Sequence, residues 1–196
     1  MSPPPTPTIL IVPGLRDHVP EHWQTLLAAR LPRVHTVPPL LEDKLSCAAR
    51  VEALDQALRL IDGPVILVAH SAGVMMVAQW AQIFLSWRPI QGALLVTPAD
   101  VENPFPAGYP TTDTLRTHGW LPIPRERLPF PTLLAASRND PLCAFDRAQA
   151  MAGDWGSTLV DLGDVGHLNP AAGFGEWPLA LELIERLAAG ETVATA

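Results

Sequence analysis

Short apolar runs alternate with stretches of helical periodicity along the whole 196-residue chain. The runs Thr8–Pro13, Val34–Val37, Pro64–Ala69, Ala93–Thr97, Thr132–Ser137 and Ser157–Asp161 read as strands. Between them, Glu21–Leu31, Leu45–Ile61, Ala72–Phe84, Phe145–Ala152 and Glu176–Ala189 read as helices. In Leu45–Ile61 the side chains Val51, Leu54, Leu58 and Ile61 share one face, and Gly63-Pro64 ends the pattern. Glu176–Ala189 turns Trp177, Leu181, Ile184 and Leu187 inward, and Pro20 suits the first turn of the helix that follows it. Ala72–Phe84 is apolar nearly all round, as befits a helix wedged between a sheet and its neighbours. Alternating strands and helices predict an α/β fold with a mainly parallel central sheet flanked by helices.

One junction in this pattern carries chemistry. The run Val65–Ala69 stops at His70-Ser71, and helical periodicity resumes at once from Ala72. Ala69 and Gly73 stand two positions before and after Ser71, giving A-x-S-x-G, one methyl group away from G-x-S-x-G. A strand, a sharp turn and a helix with serine at the apex form a nucleophile elbow, and small neighbours permit its tight backbone. The competing reading is a serine that caps a core helix.

Pro98–Pro131 breaks the alternation. It holds eight prolines and little periodicity, which is long for a connection in a compact domain. It reads either as a lid over a site, with Phe105, Tyr109 and Trp120 lining a pocket, or as a cover that closes the core.

Composition narrows the class. A hydrophobic share of 48% and a single-domain length indicate one compact domain, residues 8–189. Residues 1–7 read as a flexible proline-rich leader with neither the charge nor the apolar stretch of a signal peptide. Residues 190–196 read as a disordered tail. The net charge of -7, with one lysine in the chain, disfavours nucleic acid and anionic membranes as partners. Cys47 and Cys143 lack metal-ligand spacing and read as free thiols in a reducing cytoplasm.

A serine hydroxyl needs a base within hydrogen-bond reach to act as a nucleophile. In this kind of fold the acid and then the histidine follow the serine, each on a loop past a strand end. Asp140 follows the strand Thr132–Ser137, and His167 sits in the glycine-flanked loop after Ser157–Asp161. Asp161 and Asp164, close to His167 in sequence, rival Asp140. His70 adjoins Ser71 but diverges from it at an elbow. His18 and His22 border the site, His35 and His118 have no supporting context, and Asp146 reads as a helix cap. For the oxyanion, the candidate donors are the backbone N–H of Ala72 at the elbow helix and that of Leu15 in the loop Pro13-Gly14-Leu15-Arg16, with the Arg16 side chain beside it.

On these residues the chain resembles the small serine α/β-hydrolases related to retinoblastoma-binding protein nine and the bacterial YdeN-type hydrolases. The resemblance runs from Ile9 to about Leu187. It rests on Val12-Pro-Gly-Leu15, Pro20-Glu-His-Trp-Gln24, Ala69-His-Ser-Ala-Gly73, Pro122-Ile-Pro-Arg125, Leu128-Pro-Phe-Pro131, Ala136-Ser-Arg-Asn-Asp140, Gly166-His-Leu-Asn169 and Trp177-Pro178. It implies a single-domain α/β-hydrolase without a large cap, with Ser71 as nucleophile, His167 as base and Asp140, rather than Asp161 or Asp164, as the orienting acid. Two departures stand out. Arg16-Asp17-His18 replaces the glycine or small polar residues of many relatives. Leu45-Ser-Cys47-Ala-Ala49 has alanine where the retinoblastoma-binding motif L-x-C-x-E requires glutamate, so that binding is not carried over.

The expected activity is therefore cofactor-free cleavage of a small carboxylic ester or related acyl compound through an acyl-enzyme. The alternative is a non-catalytic binding protein on the same scaffold. A metal hydrolase lacks a His/Asp cluster at ligand spacing. The expected partner is a small acyl substrate.

Overall fold

A computed structural model describes residues 6–84 and 88–191. The leader expected at 1–7 and the tail expected at 190–196 lie largely outside the described residues. Gly190 and Glu191 are described, and their N–H groups bond back to Leu187 and Arg186.

Six strands form one sheet: β1 (Thr8–Val12), β2 (Val34–Thr36), β3 (Val65–Ser71), β4 (Gly92–Pro98), β5 (Thr132–Ala136) and β6 (Thr158–Asp161). Their order is β2-β1-β3-β4-β5-β6, and every pairing is parallel. The helices are α1 (Trp23–Arg30), α2 (Cys47–Arg59), α3 (Ala72–Phe84), α4 (Thr112–Thr117), α5 (Phe145–Trp155) and α6 (Leu179–Ala188). The apolar runs β1, β3, β4 and β5 are strands buried on both faces, whereas the edge strands β2 and β6 are half-buried or exposed. Leu10, Val12, Leu67, Leu95 and Leu134 point to a core built with α2, α3 and α5. Ile9, Ile11, Ile66, Val68, Leu94 and Leu133 point to the opposite core, closed by Trp23 and Leu27 of α1 and by Leu183, Ile184 and Leu187 of α6.

Several element ends differ from the expected ones, each for a local reason. α1 begins at Trp23 because His22 caps it, its ring nitrogen accepting the Gln24 N–H; Pro20 stays outside. Ser46 caps α2 by accepting the Ala49 N–H, so that helix starts two residues late. Asp146 is not the cap of α5: that position is Ala144, and the Asp146 carboxylate accepts the Arg147 N–H. α5 runs on to Trp155 and ends at Gly156, whose φ of 67° suits glycine. Pro98–Pro131 contains α4, a six-residue helix with Leu115 as its buried anchor.

The strand order reverses between β1 and β3, because the chain steps outward to β2 and then returns to the far side of β1. A crevice at the C-terminal ends of two such strands is where open parallel sheets bind ligands. Both Ser71 and the loop Pro13–Arg16 emerge there. Among the described residues, no helix is long and apolar enough to cross a membrane.

Candidate active site

Ser71 ends β3 with φ at 59°, a left-handed conformation that an L-residue adopts at a cost. The turn is held by close packing. A Cβ added to Gly73 would lie 2.2 Å from the Val12 carbonyl oxygen, so the elbow helix sits directly on the end of β1. A Cβ on Gly14 would come 3.1 Å from the Ser71 Cβ. Ala69 is fully buried in β3, where its methyl group is accommodated.

The Ser71 Oγ lies 2.8 Å from His167 Nε2. The other ring nitrogen, Nδ1, is 2.9 Å from each carboxylate oxygen of Asp140. Asp140 also accepts the Leu142 N–H at 2.8 Å, which fixes the carboxylate within its own turn. A carboxylate so placed holds the proton on Nδ1 and leaves Nε2 free to accept the serine proton. The rival acids lie elsewhere: Asp161 pairs with Arg138, whose hydrogen bonds lower its pKa, and Asp164 is exposed.

Asn139 and Ser137 bring the acid loop to the histidine loop. The Asn139 side-chain oxygen accepts the Gly166 N–H at 2.6 Å and the Ser137 hydroxyl at 3.0 Å, while Ser137 Oγ accepts the Val165 N–H at 3.2 Å. Gly166 and Leu168, on either side of His167, both have positive φ, which throws the imidazole toward Ser71.

Beneath this group lies a cluster of rings packed edge to face or tilted. His70 turns away from the serine hydroxyl, and its Nε2 donates to the His167 carbonyl oxygen at 2.9 Å. Its ring lies 4.6 Å from that of His22 and 4.8 Å from that of His167, centre to centre. Burial pushes the His70 pKa well below its usual value and that of His22 down to about 4, with His167 adding to both shifts. Both are held neutral. His22 lines the cavity; His18 and His35 are exposed, and His118 bonds to the Thr114 carbonyl within α4.

Two buried side chains outside the expected set fix the crevice. Gln24 donates to the carbonyls of Val68 at 3.0 Å and Val12 at 3.3 Å, joining the ends of β3 and β1. Arg50, buried on α2, donates to Asp17 at 2.9 Å, to the Leu15 carbonyl at 3.2 Å and to the Lys44 carbonyl at 2.7 Å. Gln24 stands in a segment the resemblance quotes. Arg50 is a charge in an amphipathic helix with no local signal.

Ser71 opens into a cavity of about 360 Å³. Leu45, Val101, Phe105, Tyr109, Leu115 and Trp120 form its apolar walls. The segment Pro98–Pro131 both lines the cavity and closes the core: Trp120 is fully buried, yet it also lines the cavity, and its indole N–H is anchored on the Leu45 carbonyl at 2.7 Å. Among the described residues, no three His, Cys, Asp or Glu side chains come together as a metal site.

A positioned serine, an imidazole and a carboxylate beside an apolar cavity at the switch point define a serine hydrolase of the α/β class. The chain belongs to the Serine hydrolase family, whose model matches residues 9–186. It is similar to a YdeN-like hydrolase from Pectobacterium atrosepticum, with 34% identity over 95% of this chain and 92% of that one and a TM-score of 0.77. The fold is shared with the ydeN gene product of B. subtilis, at 17% identity, 94% and 100% coverage and a TM-score of 0.69. It is shared as well with Est1E from Butyrivibrio proteoclasticus, at 14% identity, 96% and 88% coverage and a TM-score of 0.65. No curated protein sequence matches the chain.

Proposed function

We propose that this hydrolase cleaves a small carboxylic ester or related acyl substrate, with Ser71 as nucleophile, His167 as general base and Asp140 as the acid that orients it. The observation that carries this reading is the continuous relay from Ser71 Oγ through His167 to Asp140, at 2.8 and 2.9 Å. His167 Nε2 takes the hydroxyl proton as Ser71 Oγ attacks the carbonyl carbon. The oxyanion that forms is met by the N–H groups of Leu15 and Ala72, the second at the start of α3 where the helix dipole also favours negative charge. His167 then gives its proton to the leaving alcohol as the carbon–oxygen bond breaks, leaving Ser71 acylated. Water, deprotonated by the same imidazole, releases the acid and restores the serine. Asp140 stabilises the imidazolium at both stages.

No cofactor takes part in this scheme, and the partner is a small acyl compound rather than nucleic acid or membrane. Cys47 and Cys143 are buried and unpaired, which supports a reducing cytoplasm as the working compartment. Burial raises both thiol pKa values, Cys47 to about 11, so neither competes with Ser71 as a nucleophile. The test is labelling with a fluorophosphonate probe beside turnover of short p-nitrophenyl esters. Ser71→Ala abolishes labelling in a folded protein, and His167→Ala abolishes turnover. Labelling that persists in Ser71→Ala, or equal ester rates in wild type and His167→Ala, overturns the reading.

A further inference from the structure

We propose that the cavity takes an ester bearing one negative charge on an otherwise apolar body, and that Arg16 and Lys44 receive that charge. The proposal deepens the hydrolase reading and rests on it for the position of the scissile bond.

The charged side chains of the cavity wall, histidines aside, are Arg16, Asp17 and Lys44. Asp17 is already committed, because its carboxylate is paired with the buried Arg50 at 2.9 Å. Arg16 and Lys44 have no carboxylate partner among the described residues; Glu42 and Asp43 precede Lys44 but do not line the cavity. The wall thus holds two uncompensated cations in a protein whose net charge is -7. The overall charge disfavours polyanions, yet the local sign at this opening is the reverse.

The two cations stand on backbone segments that are tied together. The Arg50 guanidinium bonds the Lys44 carbonyl at 2.7 Å and the Leu15 carbonyl at 3.2 Å, so the backbones bearing Lys44 and Arg16 meet on one side chain. The Arg16 guanidinium carbon lies 5.4 Å from the centre of the Tyr109 ring, itself part of the cavity lining, which holds the cation at the cavity. Behind it the walls are Leu45, Val101, Phe105, Leu115 and Trp120. Apolar walls with cations at the rim suit an amphiphile: a short hydrocarbon body that ends in a carboxylate or similar anion. A cavity of about 360 Å³ limits that body to a small ligand.

The experiment compares monomethyl adipate with methyl hexanoate, which differ only in a terminal carboxylate in place of a methyl group. Binding to the Ser71→Ala protein, which cannot turn either over, is followed by ligand-observed NMR. The half-ester binds about fivefold more tightly at low salt, as expected for two exposed cations. That preference falls toward one in Arg16→Gln/Lys44→Gln built on Ser71→Ala, and it shrinks at high ionic strength. Equal or weaker binding of the half-ester overturns the proposal, and so does a preference that survives in the double variant. Turnover of mono-p-nitrophenyl adipate and p-nitrophenyl hexanoate by the wild type is the separate control. If neither is cleaved, the hydrolase reading falls while the binding comparison still decides this one; if both are cleaved at equal kcat/KM and bind equally, only this proposal falls.

Discussion

Arg50 on α2 donates to the carbonyl oxygen of Leu15 at 3.2 Å, so a buried cation grips the loop whose N–H is the proposed oxyanion donor. The same guanidinium takes the Asp17 carboxylate at 2.9 Å and thereby fixes both ends of that turn. If Leu15 stabilises the developing oxyanion, a small displacement of the turn weakens the transition state more than the ground state. Arg50→Lys keeps the charge but loses the fork that reaches several acceptors at once. We expect its kcat on p-nitrophenyl esters to fall by roughly tenfold to a hundredfold, with KM changed far less. An unchanged kcat in a folded Arg50→Lys protein contradicts the role.

Gly73 is required by the elbow itself. A methyl group there would lie 2.2 Å from the Val12 carbonyl oxygen and 2.8 Å from that of Pro13, both backbone atoms that cannot rotate aside. Gly73→Ala must push α3 away from β1 at a cost of about 3 kcal/mol. For a chain of this size, thermal melting should then fall by roughly 6–12 °C, with ester turnover lost as the Ser71 turn opens. Ala69→Gly, two residues before the serine, relieves no clash and should leave turnover within about twofold, a contrast readable in parallel melts and rate assays.

That contrast also marks how far the sequence reaches. β1, β3, β4 and β5 are legible because both faces of each are buried, so apolar residues run unbroken over four or five positions. Ser71 and Asp140 are legible because each follows the end of such a run, and His167 because it stands in a glycine-flanked loop after the short edge strand β6. Arg50 is not, since its partners Asp17 and Leu15 lie 33 and 35 residues earlier and no local spacing connects them. α4 escapes the pattern because six residues with one buried side chain carry no periodicity. His22 reads from sequence as a residue at the border of the site, but its work as the cap of α1 depends on a backbone turn that composition does not announce.

The neutral histidine pair His22 and His70 makes stability depend on pH. The folded pKa of His22 is about 4, held down first by burial and then by His167, whereas an unfolded histidine titrates near 6.5. Above 6.5 both states are neutral. As pH falls from 6.5 toward 4, the unfolded chain binds the proton first and stability drops, by about 3 kcal/mol for this residue alone. His70 titrates in the same direction. His22→Asn keeps a side-chain acceptor at the N-cap but carries no titrating group. Its denaturation midpoint should therefore decline less steeply over that window than that of the wild type, measured by urea melts at successive pH values. Parallel curves would mean that His22 titrates over the same pH range folded as unfolded, and would contradict its depressed folded pKa.

Asp100 gives the opposite variant behaviour with acid. It is nearly fully buried just after β4, and its N–H donates to the Leu142 carbonyl at 2.9 Å, two residues beyond Asp140. Burial alone would raise its pKa, but hydrogen bonds from Arg147 at 2.7 and 3.1 Å and from Asn103 at 2.6 Å bring it below the usual carboxylate range. In the wild type this carboxylate therefore loses stabilisation as pH falls. Arg147→Met strips away the main partner and leaves a charge in the interior. Because Arg147 is itself half-buried, we discount the penalty of a fully buried pair to about 2 kcal/mol at pH 7. Without the guanidinium, the folded Asp100 pKa rises above its unfolded value, so the variant gains stability on acidification while the wild-type carboxylate loses it. The gap between the two melting temperatures, roughly 4–8 °C at pH 7, should narrow by pH 5. Adding Asp100→Asn removes the stranded charge and should recover part of the loss at pH 7, where a double variant no more stable than Arg147→Met would show that the carboxylate is not what the arginine compensates.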